Sequence, residues 1–298
     1  MQILTQNSAG ALNLRHFRGE ALSILVTGGA GFFGRGFVRT ALDRGVERVC
    51  VYSRGEYQQA LMRAEFNDER LRFLIGDVRD VSRLTRAMEG VDLVIHAAAL
   101  KRVEVGEYDS AEMCKTNVLG SMNVIEAATA AGVNRVVALS SDKACEPTNL
   151  YGATKFVSEK LFLAANNSRG ANGPIFACVR YGNVSGSTGS VIPTWRKELE
   201  QGRPVRLTHP DATRFWMTLQ QAVDLVWHTA DTMRGGELAI PELPAYRLAD
   251  LAEALGVEYN VTGLTAGEKL AESMRAGETS EMARRMTVDE LRGALEHV

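Results

Sequence analysis

Residues 22–45 read LSILVTGGAGFFGRGFVRTALDRG, and their order decides the fold. A nearly continuous apolar run of strand length comes first, as a strand buried on both faces requires. It leads straight into Thr27-Gly28-Gly29-Ala30-Gly31-Phe32-Phe33-Gly34. Apolar residues then recur at three- and four-residue spacing up to Gly45, as in an amphipathic helix that ends at glycine. Glycines at such a junction permit a tight turn and bring backbone N–H groups close to a pyrophosphate. They also let helix pack on strand, with the helix N-terminus facing the anion. The stretch predicts a dinucleotide-binding unit with Gly28, Gly31, Phe32, Phe33 and Gly34 against the cofactor.

The same alternation continues outward. RVCVYS (48–53), LRFLIGD (71–77), VDLVIHAAA (91–99), RVVALSS (135–141) and IFACVRYGN (175–183) are short apolar runs, and VSRLTRAMEG and TNVLGSMNVIEAATAAG between them have helical periodicity. Strands alternating with helices predict an α/β fold, a Rossmann-type doubly wound parallel sheet. After about residue 183 the rhythm changes to the glycine- and proline-rich GNVSGSTGSVIPTW, while QQAVDLVWHTADTM (220–233), YRLADLAEALG and VDELRGALEHV again read as helices. We expect an N-terminal extension at 1–21 and an NAD(P)-binding domain at 22–183, to which 212–233 returns. A smaller interleaved substrate-binding part is expected at 184–211 and 234–298.

Composition narrows the class of function. The chain has 298 residues, 45% hydrophobic and 23% charged, and a formal charge of -2, with Lys and Arg spread along it. No basic segment marks a nucleic-acid partner, so small molecules are expected instead. Cys50, Cys114, Cys145 and Cys178 are far apart with no C-x-x-C, which suggests neither a metal site nor a disulfide framework. No run approaches the roughly 18 apolar residues of a membrane span, and no signal peptide is evident, so a cytoplasmic protein without a membrane partner is expected.

The second strand ends at Ser53-Arg54, where an NAD-preferring fold usually places an acid for the ribose 2′-hydroxyl. A hydroxyl followed by a guanidinium suits a 2′-phosphate, so NADP is expected over NAD. The other reading makes Arg54 a solvated loop residue and gives the ribose to Glu56. Asp77, in Gly76-Asp77-Val78, either accepts from the adenine amino group or caps the next helix. Ala97 and Ala98 let ligands lie against the backbone, and His96, inside an apolar strand, reads as packed rather than catalytic.

Tyr151 and Lys155 are four apart in LYGATKFVSEKLF, so both project from one helical face. The ammonium, with an oxidised nicotinamide, is expected to lower the phenol pKa from about 10 and make Tyr151 a base. Just before them, SSDKACEPTNLYGATK (140–155) sets Ser141 and an adjacent acid and base, Asp142 and Lys143, at a strand end.

Together TGGAGFFG, SRGEYQQ, GDVRD, HAAALKRVEVGEY, KTNVLGSMNVIEAA, LSSDKACEPTNLYGATK, RYGNVSGSTGSVIP and TRFWMTLQQAVDLV resemble the inverting UDP-N-acetylglucosamine 4,6-dehydratases of the polysaccharide-biosynthesis group, within the extended short-chain dehydrogenase/reductase superfamily. The resemblance runs from about residue 22 to residue 275. It implies a UDP-sugar substrate, a homo-oligomer (dimer or hexamer), and a product for surface glycans or flagellin modification. It also implies roles: Tyr151 with Lys155 deprotonates O4 during oxidation at C4, Lys143 removes the C5 proton, and Asp142 protonates the departing C6 hydroxyl. Lys143 is a base only if desolvation and Lys155 push its pKa well below about 10.4.

For the substrate, the resemblance implies Asn183, the loop residues Gly189, Ser190, Val191 and Pro193, and also Lys101, Arg214 and Glu268. Departures are Ala271 in place of histidine in G-E-K-L-H-E, R-V-E-V in place of the frequent H-V-P, and a short tail that implies a smaller cover over the substrate. A nucleotide-sugar epimerase or 4-keto reductase shares everything but a need for Asp142-Lys143, and a non-catalytic dinucleotide sensor has no use for Tyr151.

Overall fold

The structure, a computed structural model, describes residues 22–298, so the expected extension at 1–21 lies outside the described residues. Strand β1 (Ser23–Thr27) is buried throughout, and α1 (Phe32–Asp43) buries Gly34, Phe37, Val38 and Ala41, the stripe its spacing predicts. Then come β2 (Arg48–Ser53), α2 (Glu56–Phe66), β3 (Leu71–Ile75), α3 (Val81–Met88), β4 (Leu93–His96), α4 (Val103–Tyr108) and α5 (Ser110–Cys114). A π-helical turn at Lys115–Leu119 joins α5 to α6 (Gly120–Ala131), and β5 (Arg135–Leu139), α7 (Leu150–Ser168) and β6 (Ile175–Val179) complete the first part.

The remainder is β7 (Asn183–Val184), α8 (Val191–Glu200), β8 (Val205–Leu207), β9 (Thr213–Met217), α9 (Leu219–Thr232), β10 (Leu238–Ala239), β11 (Ala245–Arg247), α10 (Leu248–Leu255), β12 (Tyr259–Val261), β13 (Ser273–Arg275), β14 (Glu278–Thr279) and α11 (Val288–Leu295). Helix α8 was hidden from sequence reading by its Gly- and Pro-rich surroundings. Its Pro193 sits in the first turn, where a missing N–H costs nothing.

Among the described residues, seven parallel strands form the main sheet in the order β10-β6-β5-β4-β1-β2-β3. The order reverses between β1 and β4, so a crevice opens at the carboxyl ends of the strands there. One face is covered by α1 and α9, whose Phe37 and Trp227 rings stack 4.8 Å apart, and the other by α3, α6 and α7 through Leu84, Val124 and Phe162. Within 212–233, helix α9 packs on this sheet, whereas β9 pairs with β7 and β11. Conversely β10, from the segment assigned to the substrate part, adds a strand through Leu238↔Cys178 and Ala239↔Val179. Two paired residues are too few to leave a periodic signature in sequence.

The smaller part has its own apolar core, with Ile192, Trp195, Leu207, Tyr246, Leu251 and Leu291 at its centre. Among the described residues no helix is long and apolar enough to cross a membrane.

Candidate active site

A cleft of about 1570 Å³ opens at the carboxyl ends of the strands and runs from the first βα turn to the smaller part. At the first βα turn the Gly28 N–H bonds the Tyr52 carbonyl at 2.8 Å. The backbone of Gly28 has φ +68, and a Cβ there would stand 2.9 Å from Ala98 N, so only glycine keeps this wall open. Gly31, Phe32, Phe33, Gly34, Val78, Ala97 and Ala98 line the same end. A cradle of bare backbone facing the N-terminus of α1 fits a dinucleotide pyrophosphate.

At the end of β2, the Gln59 amide donates to the carbonyl and hydroxyl of Ser53, both at 3.0 Å, and fixes the turn. The half-exposed Arg54 guanidinium lies 3.8 Å from Asp77. Asp77 does not cap α3: Asp80 does, accepting from Arg83 N. Burial pushes the Asp77 carboxyl up, but hydrogen bonds from Arg79 outweigh it and hold it below the usual range. His96 is packed as expected. Its Nδ1 meets the Thr27 hydroxyl at 2.8 Å, and burial, aided by the Lys155 charge, depresses its pKa to about 3, so it stays neutral.

Helix α7 begins at Asn149, whose side chain accepts from Gly152 N at 2.8 Å. A methyl group at Gly152 would overlap the Lys143 carbonyl, which shows how tightly α7 is pressed onto the 141–149 turn. Behind it, Glu159 of α7 accepts from Ser140 at 2.6 Å and pairs with Arg180 at 2.6 Å, and Arg180 also donates to the Met274 carbonyl at 2.7 Å. This buried network, which sequence reading missed, ties β5, α7 and the C-terminal segment together. Asn117, on the π-helical turn, likewise bonds both the N–H and carbonyl of Leu100 and the Thr154 hydroxyl, linking the end of β4 to α7.

Tyr151 and Lys155 both line the cleft. Burial raises the Tyr151 pKa, and the Ser141 hydroxyl and Lys143 oppose it. Lys155 is only 5% exposed, and burial lowers its pKa from 10.5 to about 8. The unfolded chain therefore holds this proton to higher pH, so stability is expected to rise between pH 8 and 10.5. Keeping the buried ammonium at pH 7 costs roughly 3 kcal/mol. Lys155→Met is accordingly expected to raise Tm at pH 7 by a few degrees, with a smaller gain at pH 10. Equal melting temperatures for the two proteins at pH 7 would refute this.

Lys143 departs most from expectation. Burial alone pushes its ammonium down, but the carboxylates of Asp142 and Glu272 outweigh burial and the net direction is up. Its Nζ stands 3.3 Å from Asp142 Oδ1 and 3.0 Å from Glu272 Oε1. Asp142 itself, 1% exposed, lies behind the cleft wall rather than on it. Its Oδ1 accepts from the Ser141 hydroxyl and from Lys143 N, both at 2.8 Å, and its Oδ2 has no partner among the described residues. Ser141 does line the cleft, so it connects Asp142 to the open volume.

At the end of the cleft towards the smaller part, Asn183, Gly189, Ser190 and Val191 line it, with Ser190 as the N-cap of α8. Pro193 does not. It borders a separate groove with Ile192 and Arg196, because two residues along a helix from Val191 is the far side. Burial and Arg102 push the Lys101 ammonium down. Arg214 is buried and donates to the carbonyls of Thr213 (2.8 Å) and Leu270 (3.3 Å), with Nε 4.0 Å from Glu272. Glu268 lines the cleft while accepting from Thr265 N at 2.9 Å. Glu272 and Arg102, which also line it, went unassigned in the sequence. The one signal for Glu272 was its place as the second glutamate of G-E-K-L-A-E.

A family model described as polysaccharide biosynthesis protein matches residues 24–290. The inverting UDP-N-acetylglucosamine 4,6-dehydratase of Campylobacter jejuni is 45% identical over 264 residues, 87% of this chain and 79% of that protein. A UDP-glucose 4-epimerase of Rickettsia canadensis is 38% identical over 86% of this chain and 78% of its own. Among solved structures, Pen from Bacillus thuringiensis matches with TM-score 0.90 and 34% identity over 93% of this chain and 97% of that one. DesIV, a dTDP-glucose 4,6-dehydratase from Streptomyces venezuelae solved with NAD bound, matches with TM-score 0.80 and 26% identity over 92% and 96%.

Proposed function

The chain belongs to the polysaccharide biosynthesis protein family, and from that premise we propose that it is a nicotinamide-dinucleotide-dependent 4,6-dehydratase acting on UDP-N-acetylglucosamine, with inversion at C5. The observation that carries this reading is the second acid/base pair: Lys143 lines the cleft in an ion pair with Asp142, beside Tyr151 and Lys155. When bound, the dinucleotide supplies a reversible acceptor for the hydride that leaves C4 and later returns to C6. Tyr151 takes the O4 proton, and Lys155 beside it on α7 holds positive charge near the phenolate. The C4 ketone makes the C5 proton acidic and Lys143 removes it; Asp142, a carboxylate in its ion pair, first takes a proton from water and then passes it to the leaving C6 hydroxyl through the Ser141 hydroxyl. Arg214, Lys101 and the N-terminus of α8 face the substrate end and suit its diphosphate.

The Rickettsia relative favours a second reading, 4-epimerisation, which uses Tyr151 and Lys155 but gives Lys143 no proton to move. Incubation with UDP-N-acetylglucosamine in deuterated water separates the two. Loss of water with one solvent deuteron at C5 is the expected result, and unchanged mass with inversion at C4 would mean an epimerase.

For the cofactor we favour NADP. No acid stands at the end of β2, and the half-exposed Arg54 guanidinium there, paired with Asp77 at 3.8 Å, can exchange that contact for a 2′-phosphate. Losing one charge-assisted bond at this position costs about 1.5–3 kcal/mol. Arg54→Ala is therefore expected to weaken NADP binding by at least about tenfold and to leave NAD binding within about twofold, read by fluorescence titration. Equal losses for both cofactors would count against NADP. We place the enzyme in the cytoplasm as a homo-oligomer, with sedimentation velocity to tell dimer from hexamer.

A further inference from the structure

Lys143 has to be an amine to act as a base, yet two carboxylates hold it as an ammonium. Resting on the dehydratase reading, we propose that Glu272 takes the proton Lys143 must shed and holds the freed amine in place, as a positioning residue and proton acceptor for the C5 step.

Glu272 is fixed from both sides. Its N–H donates to the Ser280 hydroxyl at 3.0 Å, and its carbonyl accepts from Ser280 N at 2.8 Å. The segment leading to it clasps the catalytic turn. The Gly267 carbonyl accepts from the side chains of Thr148 and Asn149, both at 2.9 Å, and Lys269 donates to the Cys145 carbonyl at 2.7 Å. The result is a carboxylate only 3% exposed, with Oε1 3.0 Å from Lys143 Nζ.

Of the two carboxylates, Glu272 is the better placed acceptor. Asp142 Oδ1 already receives three donors, from Ser141, Lys143 N and Lys143 Nζ, whereas Glu272 Oε1 takes Lys143 Nζ at the shorter distance, 3.0 Å against 3.3 Å; the second oxygen of each carboxylate is buried with no partner among the described residues. The other charges and titratable groups around Lys143 and Glu272 are Asp142 on the same turn, Tyr151 on α7, Arg214 on β9, whose Nε lies 4.0 Å from Glu272, and Tyr246 on β11. Lys143 keeps 22% of its side chain exposed. A sugar seated over it removes that water, and a desolvated ion pair loses ground to its neutral form.

The proton then moves along the existing contact. The Nζ–H bond breaks, an Oε1–H bond forms, and both charges vanish. The free amine takes the C5 proton, and the C5–H electron pair passes into the C4 carbonyl. When product leaves, Glu272 gives its proton to water and Lys143 stays as the ammonium.

The test is Glu272→Gln, which keeps a carbonyl oxygen for Lys143 but cannot take a proton, followed with UDP-N-acetylglucosamine. Water release and solvent deuterium at C5 are expected to fall about a hundredfold at pH 7. Transient nicotinamide reduction and KM should stay near the wild-type values. Raising pH should recover rate in the variant, since bulk hydroxide then deprotonates Lys143, and Glu272→Asp should restore part of the rate at pH 7. Wild-type water release by Glu272→Gln would overturn the proposal. So would equal loss of reduction and elimination with no alkaline recovery, which marks a purely structural role. A wild-type protein that releases no water would instead overturn the dehydratase reading itself, and the proposal with it.

Discussion

Tyr151→Phe is expected to lower kcat by roughly a thousandfold to ten-thousandfold, with KM for the UDP-sugar within about threefold. The phenol lines the cleft, and its pKa lies above its ordinary value because burial outweighs the Ser141 hydrogen bond and Lys143. A neutral phenol is a poor base, so the step relies on positive charge arriving with the cofactor and on Lys155 remaining protonated. With Lys155 near pKa 8, this support fades as pH rises above about 8 in the free protein. Phenylalanine fills the same volume, so folding and binding should survive while nicotinamide reduction stops. Stopped-flow absorbance on mixing with substrate reads this directly. A variant that still reduces nicotinamide at the wild-type rate would remove Tyr151 from the mechanism.

The second large effect is expected at Lys143. Lys143→Met should slow water release by about a hundredfold to a thousandfold but leave oxidation at C4 intact, so that reduced nicotinamide and a 4-keto sugar accumulate together. The two variants thus fail at different steps, although both side chains meet in one cleft. Removing the ammonium also leaves Asp142 and Glu272 buried without their ion-pair partner, with Arg214 4.0 Å from Glu272, so some loss of stability is expected too. Thermal melting with bound cofactor separates this loss from the kinetic one. If Lys143→Met releases water as fast as the wild type, Lys143 is not the C5 base.

How much of this was legible in the sequence depends on the range of the interaction. Strands β1 to β6 could be read because each is a local apolar run bounded by turn residues, and Tyr151 and Lys155 because a helix places residues four apart on one face. Reading failed where meaning arises from pairing between distant segments. Strand β10 exists only through β6, and Pro193 is excluded from the cleft only by the rotation of α8.

The sequence by itself determined a dinucleotide-binding α/β sheet, the Tyr151–Lys155 pair and the presence of Asp142 and Lys143 beside them, since all of these lie within contiguous stretches. Only the tertiary structure decided which way the Lys143 ammonium is pushed. Glu272, more than a hundred residues further along the chain, arrives on a clasp held by Gly267, Lys269 and Ser280, and its carboxylate reverses the direction in which burial would move Lys143. Electrostatics at a buried site depends on distance in space, and no local pattern of residues encodes it.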